Sequence, residues 1–267
     1  MSSALSNSSY MSSLTKNPLT SALLSLAPFF GSLAKHILFV LILLNVKSLP
    51  TVYHWRCWFL FQKIIWRRKR ELRERKEGKI EKKTNSQELF RVFRQEHRLW
   101  PDDLDLNIHM NNSSYLKVLD FLRIEQIFTL FGDLLIPKEL YLANGGCKIV
   151  YKKEIPPFAK YTVESCVLTW NDKWVFILSR FLLPSKAKTS ADKDPIVATI
   201  VVNKLVFKEP NGKTAEPAAV FERLGFFKGE SEEERNEREA ARKKLWTFVE
   251  SGVDKLFEEN GIWKRVT

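Results

Sequence analysis

A chain of 267 residues has room for one large domain or two small ones, and 45% hydrophobic with 12% aromatic residues supplies a full core. The formal charge of +12 resembles that of a nucleic-acid binder until it is located: residues 1–70 hold nine Lys and Arg and no Asp or Glu, which leaves the other 197 residues at +3. The basicity therefore belongs to a membrane-adjacent or targeting segment, and a nucleic-acid partner is excluded.

In chain order, residues 1–18 are Ser-rich and read as disordered. Residues 19–70 read as a membrane anchor. Its first part is densest from Ile37 to Leu44, and extending back to Leu26 reaches the ~20 residues that a span requires, at the cost of taking in Lys35 and His36. Its second part carries Val52, Tyr53, Trp55, Trp58, Phe59, Phe61, Ile64 and Trp66, then Arg67, Arg68, Lys69 and Arg70. Aromatic rings favour the membrane interface and basic groups favour anionic headgroups, so this part reads as a helix lying on a membrane. The basic cluster after the apolar run predicts that the following domain faces the cytosol, at the endoplasmic reticulum. An acid-free, Ser-rich, basic start also fits the mitochondrion. Residues 71–88 interleave Glu with Lys and Arg and read as a solvated linker.

The pattern changes at Phe90. A first strand is predicted through Trp100, followed by a polar loop and then an apolar helix from Tyr115 to Phe131, where Val118, Leu119, Leu122, Ile127 and Leu130 recur at spacings of three and four. Phe121, Ile124 and Phe128 widen that stripe until something must wrap most of the helix. Asn112, Ser113 and Ser114 are suited to cap its start. Asn144-Gly145-Gly146 reads as punctuation before a strand from Cys147. Period-two strands follow at Tyr161–Thr169, Trp174–Leu183 and Ile196–Phe207, with a loop at 184–194. One strand, one helix and four antiparallel strands make an α+β domain over 89–210. Residues 211–267 form a helical extension. Ser231 and Glu234 have capping-box spacing, and Leu245, Val249, Val253 and Leu256 form one face of an amphipathic helix ending at Asn260-Gly261.

The chemistry concentrates in the loop. Hydrolytic chemistry needs a carboxylate to attack or to deprotonate water, and donors for a developing oxyanion. Asp105 is the candidate carboxylate, and backbone N–H groups at the helix start near Asn112 to Ser114 are candidate donors. Cys57, Cys147 and Cys166 have no metal spacing. No Gly-x-Ser-x-Gly elbow, zinc motif or nucleotide-binding glycine pattern is present, and no cofactor is expected.

The pattern Asp103, Asp105, Asn107, His109, Met110, Asn111, Asn112, Tyr115 resembles the signature loop of hotdog-fold thioesterases, above all the acyl-ACP type. The 4-hydroxybenzoyl-CoA thioesterase branch shares a sparser version, whose ten-residue spacing from Asp105 to Tyr115 is kept here. The chain is most similar to thioesterase superfamily member six and its fungal relatives, which share a hydrophobic N-terminal anchor, a stretch like Leu49-Pro50…His54…Arg56, and a Trp-Pro-x-Asp-Leu-Asp entry. The resemblance covers roughly residues 88–208. It implies a long central helix wrapped by a curved antiparallel sheet, a homodimer, and acyl-CoA or another acyl thioester as substrate beside membrane lipid. It also implies Asp105 as base or nucleophile with Asn107 and His109 as partners. Asn111, Asn112, Ser113 and Tyr115 are then the expected substrate-side residues, Asn111 and Asn112 bracing the loop and Tyr115 pinning it through its hydroxyl.

Overall fold

In the computed structural model, residues 18–79, 85–185 and 194–251 are described. The Ser-rich start, most of the 184–194 loop and the expected helix end at Asn260-Gly261 lie outside them. The chain divides into two compact units at Tyr53/His54.

The first unit contains helix α1 (Pro18–Leu44). Its apolar side chains from Ile37 to Leu44 are exposed. Among the described residues no helix is long and apolar enough to cross a membrane, so the expected span is not found there. The densely apolar run from Ile37 to Leu44 covers only ~12 Å of helix, against a hydrocarbon core of ~30 Å.

The second unit is built on a sheet of order β1-β3-β4-β5-β2, antiparallel throughout, with a two-residue β6 (Thr214–Ala215) on β5. The strands are β1 (Phe93–Arg98), β2 (Tyr141–Tyr151), β3 (Lys160–Trp170), β4 (Val175–Leu183) and β5 (Ile196–Lys208). Helix α4 (Asn112–Leu135) lies on the inner face of this sheet. Tyr115, Leu119, Leu122, Leu130, Phe131 and Leu134 are buried on it. The shorter helices are α3 (Ser86–Leu89), α5 (Pro217–Leu224) and α6 (Glu232–Ser251).

Three sequence expectations change. The first strand is shorter than predicted, because Phe90 to Val92 leave α3 before pairing begins at Phe93↔Ser165. Asn144-Gly145-Gly146 does not punctuate: it lies inside β2, where the register with β5 shifts. A Cβ at Gly145 would sit 2.2 Å from the Trp174 ring, and Gly146 has φ +131°, so close approach and a bulge demand these glycines. The helix is also longer than predicted, and its cap is Asn111 rather than the residues after it.

The wide apolar stripe of α4 is explained by a second cover. Helix α2 (Val52–Lys76) packs on its outer side: Phe61 meets Phe128 edge-on at 5.2 Å, and the Arg56 guanidinium lies 4.2 Å above the Phe121 ring. Arg68 pairs with Asp133, and Arg67 bonds Glu125 at 3.4 Å. The helix read as lying on a membrane thus gives one face, with buried Ile64, to the protein. It also runs six residues into the expected linker. The opposite face keeps Trp55, Trp58, Phe59 and Trp66 exposed, the first three mutually packed, with Trp58–Phe59 centroids at 4.9 Å.

The outer face of the sheet is covered by α6. The capping box forms as predicted: Ser231 N–H donates to Glu234 at 2.8 Å, and Glu234 N–H donates to Ser231 Oγ at 3.2 Å. Val249, Leu245 and Trp246 join Cys166, Leu168, Phe176 and Leu178. Beside this cluster the buried Glu164 accepts hydrogen bonds from Arg94 across β1 and from Arg180 across β4. Cys166 is fully buried, and loss of solvation pushes its thiol up to about 12, so it is a packing residue.

Candidate active site

The loop between β1 and α4 is ordered by its own polar groups. A short 3-10 turn at Pro101–Asp103 leads to an isolated bridge between Leu104 and Met110. Asp105 N–H donates to the His109 carbonyl at 2.9 Å, and Ile108 N–H donates to the Asp105 carbonyl at 3.1 Å. Oδ1 of Asp105 accepts from the N–H groups of Asn107, at 2.9 Å, and His109, at 3.2 Å. The carboxylate is therefore the staple of a tight turn, as Asp residues in turns commonly are. Its other oxygen, Oδ2, takes part in none of the described hydrogen bonds. Ile108 sits at φ +62°, a strained position for a β-branched residue. The loop is tied to the rest by Met110 N–H to the Ile155 carbonyl, at 3.2 Å, and Asn111 N–H to the Asp103 carbonyl, at 2.8 Å.

The predicted residues come together only in part. Asn107 contributes its backbone, and its side chain points to solvent with no described partner. His109 does not face Asp105: its Nε2 lies 3.0 Å from Oε2 of Glu154, a mostly exposed residue past the end of β2. Sequence reasoning missed Glu154, because Lys152-Lys153-Glu154 before a proline looks like any solvated loop.

At the helix start, Asn111 caps. Its Oδ1 accepts from Ser113 N–H at 2.9 Å and from Ser113 Oγ at 2.8 Å, while its carbonyl accepts from Ser114 N–H at 2.8 Å. Of the expected oxyanion donors, Ser113 and Ser114 are thus already engaged. The N–H of Asn112, exposed at the first helical position, has no described partner. Tyr115 is 2% exposed and packs edge-on against Tyr151 at 5.1 Å and Phe181 at 4.8 Å. Desolvation raises its phenol pKa. The Thr199 hydroxyl opposes that shift, and the charges of Glu154 and Asp105 add to it. Tyr115 is a buried wall of the site rather than a surface contact for substrate.

The arrangement provides a half-buried carboxylate with one oxygen uncommitted, an imidazole held by a second carboxylate, and one unused amide at the positive end of a 24-residue helix. The loop tip is apolar and open, with Leu106 at 102% and Ile108 at 63% exposure. A cleft of about 1040 Å³ lies elsewhere, between α3, the Trp170 end of β3 and α6. It contains none of the loop residues, and Arg238 and Arg242 within it are paired with Glu230 and Glu239.

Residues 99–223 match the model of the thioesterase-like superfamily. The chain is 31% identical over 174 residues to the thioesterase poxG of Penicillium oxalicum, covering 54% of this chain and 56% of that protein. It is 29% identical over 219 residues to the probable thioesterase atnL of Emericella nidulans, covering 70% and 69%. It is 30% identical over 106 residues to protein THEM6 of Xenopus laevis, covering 39% and 47%. The chain thus spans just over half the length of the Penicillium relative. The resemblance to member six and its fungal relatives is borne out.

Proposed function

We propose that this chain, whose residues 99–223 belong to the thioesterase-like superfamily, hydrolyses fatty acyl thioesters, acyl-CoA foremost, to free acid and thiol. The observation that carries the reading is the state of Asp105. Two backbone N–H groups fix its carboxylate through one oxygen and leave the other out of every described hydrogen bond, in the loop that runs into α4. In the reaction, Oδ2 takes a proton from the water that adds to the thioester carbonyl, after which the C–S bond breaks and the departing thiolate takes that proton; on the nucleophilic route Oδ2 itself adds to the carbonyl, the thiolate leaves, and water hydrolyses the resulting anhydride. Charge developing on the carbonyl oxygen is met by the Asn112 N–H and the helix dipole. His109, held by Glu154, orients or polarises rather than acting as the primary base. Asn107, Asn111 and Ser113 serve the geometry of the loop. The test is turnover of an acyl-CoA panel by the full chain and its Asp105→Asn variant. Unchanged turnover in the variant would overturn the assignment.

The same proposal includes attachment to a membrane through residues 19–70, with lipid as a partner. The exposed apolar side chains of α1 and the outward aromatic face of α2 support it. The location we propose is the endoplasmic reticulum with the domain in the cytosol, the mitochondrion being the alternative. Protease protection of the domain in intact microsomes would overturn the cytosolic placement. A homodimer is also proposed: β2 is an edge strand, largely exposed along its length. Light scattering reporting only monomers would remove it.

A second reading has its own support. Because Asp105 already serves as a turn staple, the loop could persist without catalysis, leaving a domain that binds acyl chains or a protein at a membrane. Acyl-chain binding with no turnover of any thioester would establish that reading instead.

A further inference from the structure

We propose that the inner face of the sheet beneath α4 recognises an oxygen-bearing group part-way along the acyl chain, so that the preferred substrate is an oxygenated long-chain thioester rather than a saturated one. The inference rests on the thioesterase reading above. Along the interface between α4 and the sheet, the residues that follow Tyr115 are at first apolar, with Leu119, Leu122, Val163 and Phe181 all buried. The interface then changes character. Gln126, three turns beyond Tyr115 on the same side of α4, is fully buried and accepts a hydrogen bond at Oε1 from Ser165 Oγ at 2.7 Å. Ser165 accepts in turn from Ser179 Oγ at 3.0 Å. The register pairs Ser165 with Ser179, and Ser179 with Val201. Asn203 follows two residues along β5, on the same face and 1% exposed.

Four polar side chains from a helix and three strands thus form a row on a face that is mainly apolar but also holds the buried Thr199. Nε2 of Gln126 and Nδ2 of Asn203 are buried with no partner among the described residues. Buried donors left unbonded cost stability, and a core needing only to pack would place aliphatic residues here. Both unbonded groups are N–H₂ donors, so their complement is an acceptor: a hydroxyl, ketone or ether oxygen. The eleven residues from Tyr115 to Gln126 span ~16 Å of helix. An extended chain advances ~1.2 Å per bond, which puts the oxygen roughly a dozen bonds from the thioester.

The test compares kcat/KM of the full chain, reconstituted in lipid nanodiscs, on matched long-chain acyl-CoAs with and without a hydroxyl or keto group at about the twelfth carbon. We expect a preference of about tenfold or more for the oxygenated chain, as for other sites built to hydrogen-bond a substrate hydroxyl. Gln126→Leu and Asn203→Leu should each bring that ratio towards one. Melting temperatures report whether these variants fold, and Ser165→Ala with Ser179→Ala replaces them if they do not. A wild-type preference for the saturated chain, or a ratio unmoved in every folded variant, would mean that the row holds water only and would overturn the proposal. If wild type turns over neither acyl-CoA, the thioesterase reading fails separately. Calorimetric binding of the matched free acids then decides this inference by the same ratio and the same variants.

Discussion

The two ends of α4 are built on opposite principles. At its far end Phe131 stacks on Phe221 at 5.7 Å and meets Phe207 edge-on at 5.2 Å, while Phe221 meets Trp170 edge-on at 5.1 Å. Phe131, Phe207 and Phe221 are at most 1% exposed. At its near end the loop has little core of its own, a strained Ile108, apolar side chains in solvent, and a shape set by hydrogen bonds to Asp105 and Asn111. The aromatic end holds the helix on the sheet and leaves the loop end free to be shaped for chemistry. Stability and reactivity should therefore be separable by mutation.

The sharpest break of this contrast comes at the aromatic end. Phe221→Ala should cost ~3–5 kcal/mol of stability, the range for emptying a buried phenylalanine site. It should lower activity only as the folded fraction falls, which denaturant melts run beside initial rates would reveal. A large activity loss at full folding would mean that the far end takes part in the reaction. Next in size, Asp105→Asn should cut turnover ~10²-fold or more, in the range of general base catalysis, while moving the melting temperature little. Asn is nearly isosteric, and its Oδ1 can still accept the two backbone bonds. A melting loss comparable to the rate loss would make Asp105 a structural staple alone.

These two ends were not equally legible in the sequence. Periodicity alone gave α4, and the width of its stripe correctly demanded a wrapping partner. The identity of that partner was hidden, because Phe61 and Ile64 sit in an aromatic, basic run where a residue facing protein and one facing lipid look alike. Gly145-Gly146 read as a turn because the same chemistry serves turns and bulges. Trp174, contributed by the β3–β4 hairpin, decides between them. In the loop, Asp105 stood out through spacing and resemblance. That its Oδ1 is spent on the turn depends on φ at Ile108 and on atoms two and four residues away. Glu154 could not have been found, since its meeting with His109 is set by how β2 returns beside the loop.

A smaller effect sharpens the loop side. Removing the cap with Asn111→Ala frees the Ser113 N–H and Oγ, and should cost ~1 kcal/mol. Because the same residue orients the helix start beside the uncommitted Asn112 amide, turnover should fall somewhat further than stability explains. Asn111→Asp keeps the acceptor and should recover both. Rescue of the melt without rescue of the rate would show that the amide side chain does more than cap.

The smallest effect concerns the His109–Glu154 pair. Glu154 is 71% exposed and His109 37%, so their contact is solvent-screened and, even as an ion pair, is worth only ~0–1 kcal/mol. Glu154→Gln should therefore change turnover by less than about fivefold, a bound that follows from that range. His109→Ala should cost more than Glu154→Gln, because it removes the imidazole itself along with the pair, yet less than Asp105→Asn. The double variant His109→Ala with Glu154→Gln should then resemble His109→Ala alone, since Glu154 acts only through the ring. If His109→Ala matches Asp105→Asn in its loss of turnover and the loss follows an imidazole-like pH profile, the base is the histidine, oriented by Glu154, and Asp105 keeps only its place in the turn.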